Sequence, residues 1–271
     1  MTRRLALVSL FLFAFGVLPA AAQTCTLSFT GMSFGTYTGA VLNGTATGTV
    51  RCAGSWDIPL DAGTGVGATE TTRYMTGPNG AELAYQVFQD AARTINWGNT
   101  STTEVTGTGN ATVTAYGQIA AGQYAVPGTY TDTLHTTTTT ITVTATIVKD
   151  CKVSATNMVF GNYTGAVNNA TSTVTVTCTK TTTYTVGLSA GNATGATVTT
   201  RKMQNGTATL AYALYSNSVR TINWGNTSAT NWVAGTGTGA AQPLTVYGQV
   251  AAGLYPTPGS YSDTITATVT Y

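Results

Sequence analysis

Few side chains in this sequence are equipped for catalysis. His135 is the sole histidine, and the threonine run around it marks it as exposed and incidental rather than as a general base. Two glycine-rich stretches, Gly63-Thr64-Gly65-Val66-Gly67 and Gly235-Thr236-Gly237-Thr238-Gly239, look like loops that cradle phosphate. Both lack the lysine that a P-loop sends to the phosphates and the strand–turn–helix setting that aims its amides, so turns are expected. Asp132 and Asp263 stand at matching places of a repeated motif, and their recurrence fits a turn role better than acid–base work. The four cysteines, Cys25, Cys52, Cys151 and Cys178, form no CxxC pair, and one histidine adds little to a zinc set. Spacing brings no acid, base, nucleophile or metal ligand together. No catalytic residue, no metal ligand and no cofactor is expected.

The residues around these groups favour strands. Charged residues make up 7% of the chain, against about 25% in ordinary soluble domains, and threonine, glycine and β-branched residues fill the difference. Thr-rich alternation broken by glycine suits short strands, and the aromatic content argues against a disordered chain. The start differs in character. Arg3 and Arg4, the apolar run Leu5–Leu18 and Ala20-Ala21-Ala22 read as an export signal over residues 1–22. That run is shorter than the roughly 18–20 residues that span a bilayer, and no later run reaches that length. The mature chain is expected to be exported and to have no transmembrane segment.

A tandem duplication organises the rest. Phe34-Gly35-Thr36-Tyr37-Thr38-Gly39-Ala40 returns as Phe160-Gly161-Asn162-Tyr163-Thr164-Gly165-Ala166, and Leu83-Ala84-Tyr85 as Leu210-Ala211-Tyr212. The run from Arg93 to Ser101 is repeated unchanged from Arg220 to Ser228. The repeat is too long for a solenoid, so two domains are expected, residues 23–148 and 149–271. Cys25 and Cys52 are spaced like Cys151 and Cys178, which in an exported chain favours one disulfide inside each domain over a metal site. Trp97 and Trp224 sit in identical contexts and read as buried core anchors. Short strands between turn signals point to an all-β fold of two immunoglobulin-like sandwiches. Residues 23–148 carry three basic and seven acidic groups, and residues 149–271 six and two, an asymmetry that could orient neighbours head to tail. No basic cluster with interleaved aromatics appears, so nucleic acid is not an expected partner.

An ordered set of motifs covers nearly all of both halves. It comprises Cys followed by Phe-Gly-x-Tyr, Arg-x-Met (Arg73, Met75; Arg201, Met203), Leu-x-Tyr, Trp-Gly, Tyr-Gly-Gln and a final Pro-Gly-[Thr/Ser]-Tyr-x-Asp-Thr. The chain thereby resembles the spore coat protein U family, which includes subunits of archaic chaperone–usher pili. The resemblance implies incomplete sandwiches, each missing one strand, supplied by a periplasmic chaperone before assembly and by the next subunit afterwards.

A donor strand needs alternating apolar residues, because every second side chain faces the groove. Ile141, Val143, Ala145 and Ile147 fall on one face of residues 141–148. Alternation alone does not say which domain owns that face; we expect it to complete the first domain in cis and to leave the second one strand short. With cleavage after Ala22, only Gln23 and Thr24 precede Cys25, so the first domain is expected to have no extension to donate. The expected function is a non-enzymatic pilus-tip adhesin promoting attachment and biofilm formation, with the periplasmic chaperone, the outer-membrane usher and the next pilus subunit as partners of the second domain. It would pass through the periplasm to the cell surface. Loops of the first domain would touch an abiotic or cell surface. Leu42 and Val126, which correspond to Asn168 and Thr257 in the repeat, are the adhesive candidates, whereas Tyr124, matched by Tyr255, is read as structural. A secreted coat or matrix protein and a carbohydrate-binding module are the alternatives.

Overall fold

A computed structural model describes residues 24–227 and 230–271; the expected export signal lies outside them. The first half holds β1 (Thr26–Phe29), β2 (Met32–Tyr37), β3 (Leu42–Arg51), β4 (Ser55–Ile58) and β5 (Arg73–Thr76). It continues with β6 (Glu82–Phe88), β7 (Val105–Thr108), β8 (Ala111–Ile119), β9 (Gly128–His135) and β10 (Thr140–Ile147). Alternation of threonine with apolar residues sets the faces: β3 and β10 bury every second residue and leave mainly threonines outside.

Eight of these strands form one ladder in the order β1-β3-β8-β6-β5-β9-β10-β2, with β4 and β7 as a separate pair. The ladder folds over so that β2 lies across β3 and β8. Met32 and Phe34 rest on Gly44 and Gly117, where any Cβ would meet their side chains. Trp97 is fully buried; its indole N–H donates to the Ile58 carbonyl at 2.8 Å. Its own carbonyl accepts from buried Arg73 at 2.7 Å, and the same guanidinium also donates to the carbonyls of Leu60, Asp61 and Glu70.

The second half repeats this plan with β11 (Cys151–Ala155), β12 (Asn168–Cys178), β13 (Thr183–Leu188) and β14 (Arg201–Asn205). Then come β15 (Ala208–Tyr215), β16 (Val233–Thr236), β17 (Gln242–Val250) and β18 (Ala267–Thr270). One sheet runs β11-β12-β17-β15-β14 and the other β16-β13-β18. Trp224 and Arg201 reproduce the first half's anchor, with the indole on Val186 and the guanidinium on Leu188, Ser189, Val198 and Trp224. The fold is all-β, two immunoglobulin-like sandwiches, each with one disulfide: Cys25–Cys52 joins β1 to the end of β3, and Cys151–Cys178 joins β11 to β12.

The halves part company after the shared aspartate. In the first, the chain turns at residues 136–139 and comes back as β10, antiparallel to β9 and parallel to β2. In the second it runs straight on and pairs with β13 as β18.

Candidate functional site

The divergence leaves a gap in the second domain. In the first, Val143 of β10 lies opposite Met32 and Ile147 opposite Tyr37, while on the other side Ile141 faces Leu134 and Ala145 faces Tyr130. All four inward residues of β10 are at most 2% exposed. In the second domain the matching flanks are residues 158–163 and 259–266. Among the described residues no strand pairs with the first flank, and the backbone of the second pairs with β14 only in a bridge from Ser262 to Gln204.

The result is a groove of about 500 Å³ lined by Met158, Phe160, Met203, Tyr212, Tyr261 and Ile265, among others. Each of these repeats a residue that is buried in the first domain. Met32, Phe34, Met75, Tyr85, Tyr130 and Leu134 are all 5% exposed or less, whereas Met158, Phe160, Met203, Tyr261 and Ile265 are only half-buried. The groove is therefore an apolar slot flanked by two strand-like edges. A chain that entered it as an extended strand could complete backbone ladders on both sides and bury alternate side chains.

Beside the groove sits a polar cluster. Tyr212 Oη donates to Asp263 Oδ2 at 2.7 Å, and the amides of Asn192 and Thr264 donate to Oδ1 at 2.9 and 2.8 Å. Burial, reinforced by the carboxylate beside it, pushes the Tyr212 phenol well above its ordinary range. Burial also lowers the Arg201 guanidinium to about 10. The first domain has the same arrangement in buried form: Tyr85 Oη to Asp132 Oδ2 at 2.6 Å, with Thr64 donating its amide and its hydroxyl to Oδ1.

This cluster corrects one expectation and sharpens another. Asp132 is not a turn residue; it stands in β9 as a buried acceptor that clamps the residue 61–65 loop. The glycine-rich stretch at Gly63 does turn as expected, the Ala68 amide donating to the Gly65 carbonyl at 3.2 Å, and Gly63 packs on the Asp132 carboxylate, where a Cβ would collide; the stretch at Gly235 begins instead within β16. His135 is exposed, as expected, and holds Asp61 at the surface: its ring Nδ1 lies 2.8 Å from Asp61 Oδ2, and its amide donates to Asp61 Oδ1. Among the described residues no group of three His, Cys, Asp or Glu side chains is placed to hold a metal.

The adhesive candidates need correction too. Leu42 is not in a loop: it opens β3, pairs with Ile119 and packs half-buried on the core. Its counterpart Asn168 uses its side-chain amide to hold the carbonyls of Phe160 and Asn162. Val126 is half-buried, and its carbonyl accepts from Tyr130 Oη at 2.7 Å. It lies two residues from Tyr124, whose carbonyl accepts from the Lys180 amide of the second domain. Both candidates are at the end of the first domain that meets the second, not at its outer end. Sequence reasoning missed the groove residues themselves, although their repeated motifs pointed to them: each is the partner of a first-domain core residue.

The family model described as Spore Coat Protein U domain matches residues 11–137 and again residues 137–268. Protein U of Myxococcus xanthus is 42% identical over 78 residues, covering 28% of this chain and 43% of that protein, so the chain spans less than half of that relative. A solved chain of the CsuC–CsuE chaperone–tip adhesion subunit pre-assembly complex, from the archaic chaperone-usher Csu pili of Acinetobacter baumannii, has a similar fold. Its TM-score is 0.56 at 15% identity, covering 92% of this chain and all of that one.

Proposed function

Because the chain belongs to the spore coat protein U domain family, we propose that it is a subunit of an archaic chaperone–usher pilus, standing at the fibre tip and acting as an adhesin rather than as an enzyme. One observation carries this reading: the slot that β10 fills in the first domain is open in the second. A protein that keeps one donor-type strand for itself and presents one vacant slot accepts a neighbour on one side. That asymmetry supports a tip position, as does the likeness of fold to the chaperone–tip subunit complex. The chaperone would occupy the groove before assembly at the usher, and the next subunit afterwards, at the cell surface. The first domain would then supply attachment and promote biofilm formation. Its contacts would come from the outer-end loops around Gly54 and Gly109 and from the residue 136–139 turn, which has no equivalent turn in the second domain.

The incoming strand should run parallel to residues 158–163, with apolar residues opposite Met158 and Tyr163, as Val143 and Ile147 lie opposite Met32 and Tyr37. A synthetic peptide of residues 140–148 serves as the probe, added to the full chain while amide exchange is followed. Protection of residues 158–163 and 259–266 is the expected outcome. Unchanged exchange at both flanks under saturating peptide would overturn the acceptor reading, and a secreted coat component would become the better description.

A further inference from the structure

The loop that follows β8 in the first domain and β17 in the second is built alike in both. In the first domain Tyr37 Oη donates to the Ala120 carbonyl at 2.6 Å and accepts from the Gln123 amide at 3.1 Å. In the second, Tyr163 Oη donates to Ala251 at 2.6 Å and accepts from Leu254 at 3.1 Å. The Gly122 and Gly253 amides donate to Gly39 and Gly165, each at 2.9 Å. Each loop then lays a tyrosine ring beside a glycine of left-handed backbone, Tyr124 at Gly39 and Tyr255 at Gly165.

What covers the two rings differs. Tyr124 lies at the junction between the domains. The Lys180 amide donates to its carbonyl at 3.1 Å, Gly239 backs against that carbonyl, and the Lys152 ammonium lies 5.4 Å from the ring centroid. Tyr255 has the same posture and is 92% exposed. A lone exposed tyrosine is ordinary; this one rides on a loop held by three hydrogen bonds, at the place where its half-buried counterpart Tyr124 meets the neighbouring domain.

We infer that Tyr255 is the docking point for the next folded domain of a fibre, a protein of the same family whose donor strand fills the groove and whose lysine or arginine, one residue past its first cysteine, lies over the ring. This rests on the acceptor reading of the groove. The spacing within the chain sets the geometry: Ile147 ends the strand opposite Tyr37, and five residues later Lys152 reaches Tyr124. A strand ending opposite Tyr163 delivers its own residue at that spacing to Tyr255. The aromatic face attracts the cation, and the loop, already ordered, gives up little freedom on docking.

The test uses the full chain, wild type and Tyr255→Ala, with three C-terminally amidated peptides. They are residues 140–148, residues 140–152 with Cys151→Ser, and that longer peptide with Lys152→Ala as well. The short peptide should bind both proteins alike. The longer one should bind the wild type about two- to five-fold more tightly than Tyr255→Ala, a gain that Tyr255→Phe keeps and Lys152→Ala removes. If the short peptide binds but the longer one does not distinguish wild type from Tyr255→Ala, the docking point is refuted and the groove stands. If neither peptide binds, the acceptor reading itself is wrong and the docking point falls with it.

Discussion

The duplication allows one perturbation to be made twice in a single molecule, once in a filled slot and once in an open one. Leu134 is fully buried against Ile141 of β10, whereas its counterpart Ile265 is half-buried on the groove wall. Truncating a buried leucine to alanine removes transfer free energy and leaves a cavity, costing about 2–5 kcal/mol. Ile265→Ala opens no enclosed cavity and loses the transfer term of a half-exposed side chain, about 1 kcal/mol. At roughly 4 °C per kcal/mol for a domain of this size, Leu134→Ala should lower the first domain's unfolding midpoint by roughly 8–20 °C, and Ile265→Ala the second's by roughly 4 °C. Calorimetry, with amide exchange assigning each transition to its domain, reads both. Once the residue 140–148 peptide is seated, Ile265 acquires the surroundings of Leu134, and the added cost should appear as peptide binding weakened about ten-fold or more. Equal costs in the two domains without peptide, or an Ile265→Ala variant that binds peptide like wild type, would refute the reasoning.

Three further outcomes follow from the shared framework. Arg73→Met should destabilise the first domain by about 3–5 kcal/mol, because it strips donors from the carbonyls of Leu60, Asp61, Glu70 and Trp97 and a buried acceptor left alone costs about 1–3 kcal/mol; urea titration measures it, and a loss below about 1 kcal/mol would mean that water replaces the guanidinium. Burial and the adjoining carboxylate raise the phenols of Tyr85 and Tyr212, so the stability they contribute is complete below the ordinary tyrosine value near 10 and is lost as pH rises above it. The lowered Arg73 and Arg201 act with the opposite sign in that window, so phenolate absorbance is the readout: these two should ionise only together with loss of strand circular dichroism, and smooth ionisation near pH 10 in the folded chain would contradict their burial. Removing the Cys25–Cys52 bridge, which spans 27 residues, should cost the first domain about 3–4 kcal/mol on the chain-entropy model and leave the second domain's urea midpoint unchanged.

Much of the architecture was legible because it was written twice. The all-β class came from threonine alternation, and the pair Arg73 and Arg201 stood in matching motifs. What the sequence could not disclose was partnership over distance. The alternation of Ile141, Val143, Ala145 and Ile147 defines a face but names no neighbour, and the choice of the first domain depends on a turn at residues 136–139 that brings the strand back beside β9. Asp132 looked like a turn residue because its acceptor role depends on Thr64 and Tyr85, 68 and 47 residues away. Leu42 and Val126 were misjudged for a related reason: nothing local says which end of a sandwich a residue occupies.

The route by which the chain leaves the first domain has a mechanical consequence. β10 leads through Val148, Lys149 and Asp150 directly into β11, so tension transmitted from the second domain enters the first along the axis of β10. Its bonds to β9 run across that axis, and a pull along the strand loads them together in shear instead of peeling them off singly. A pull on the second domain would thus meet the strand that completes the first domain in its most resistant direction, with the second domain as the handle.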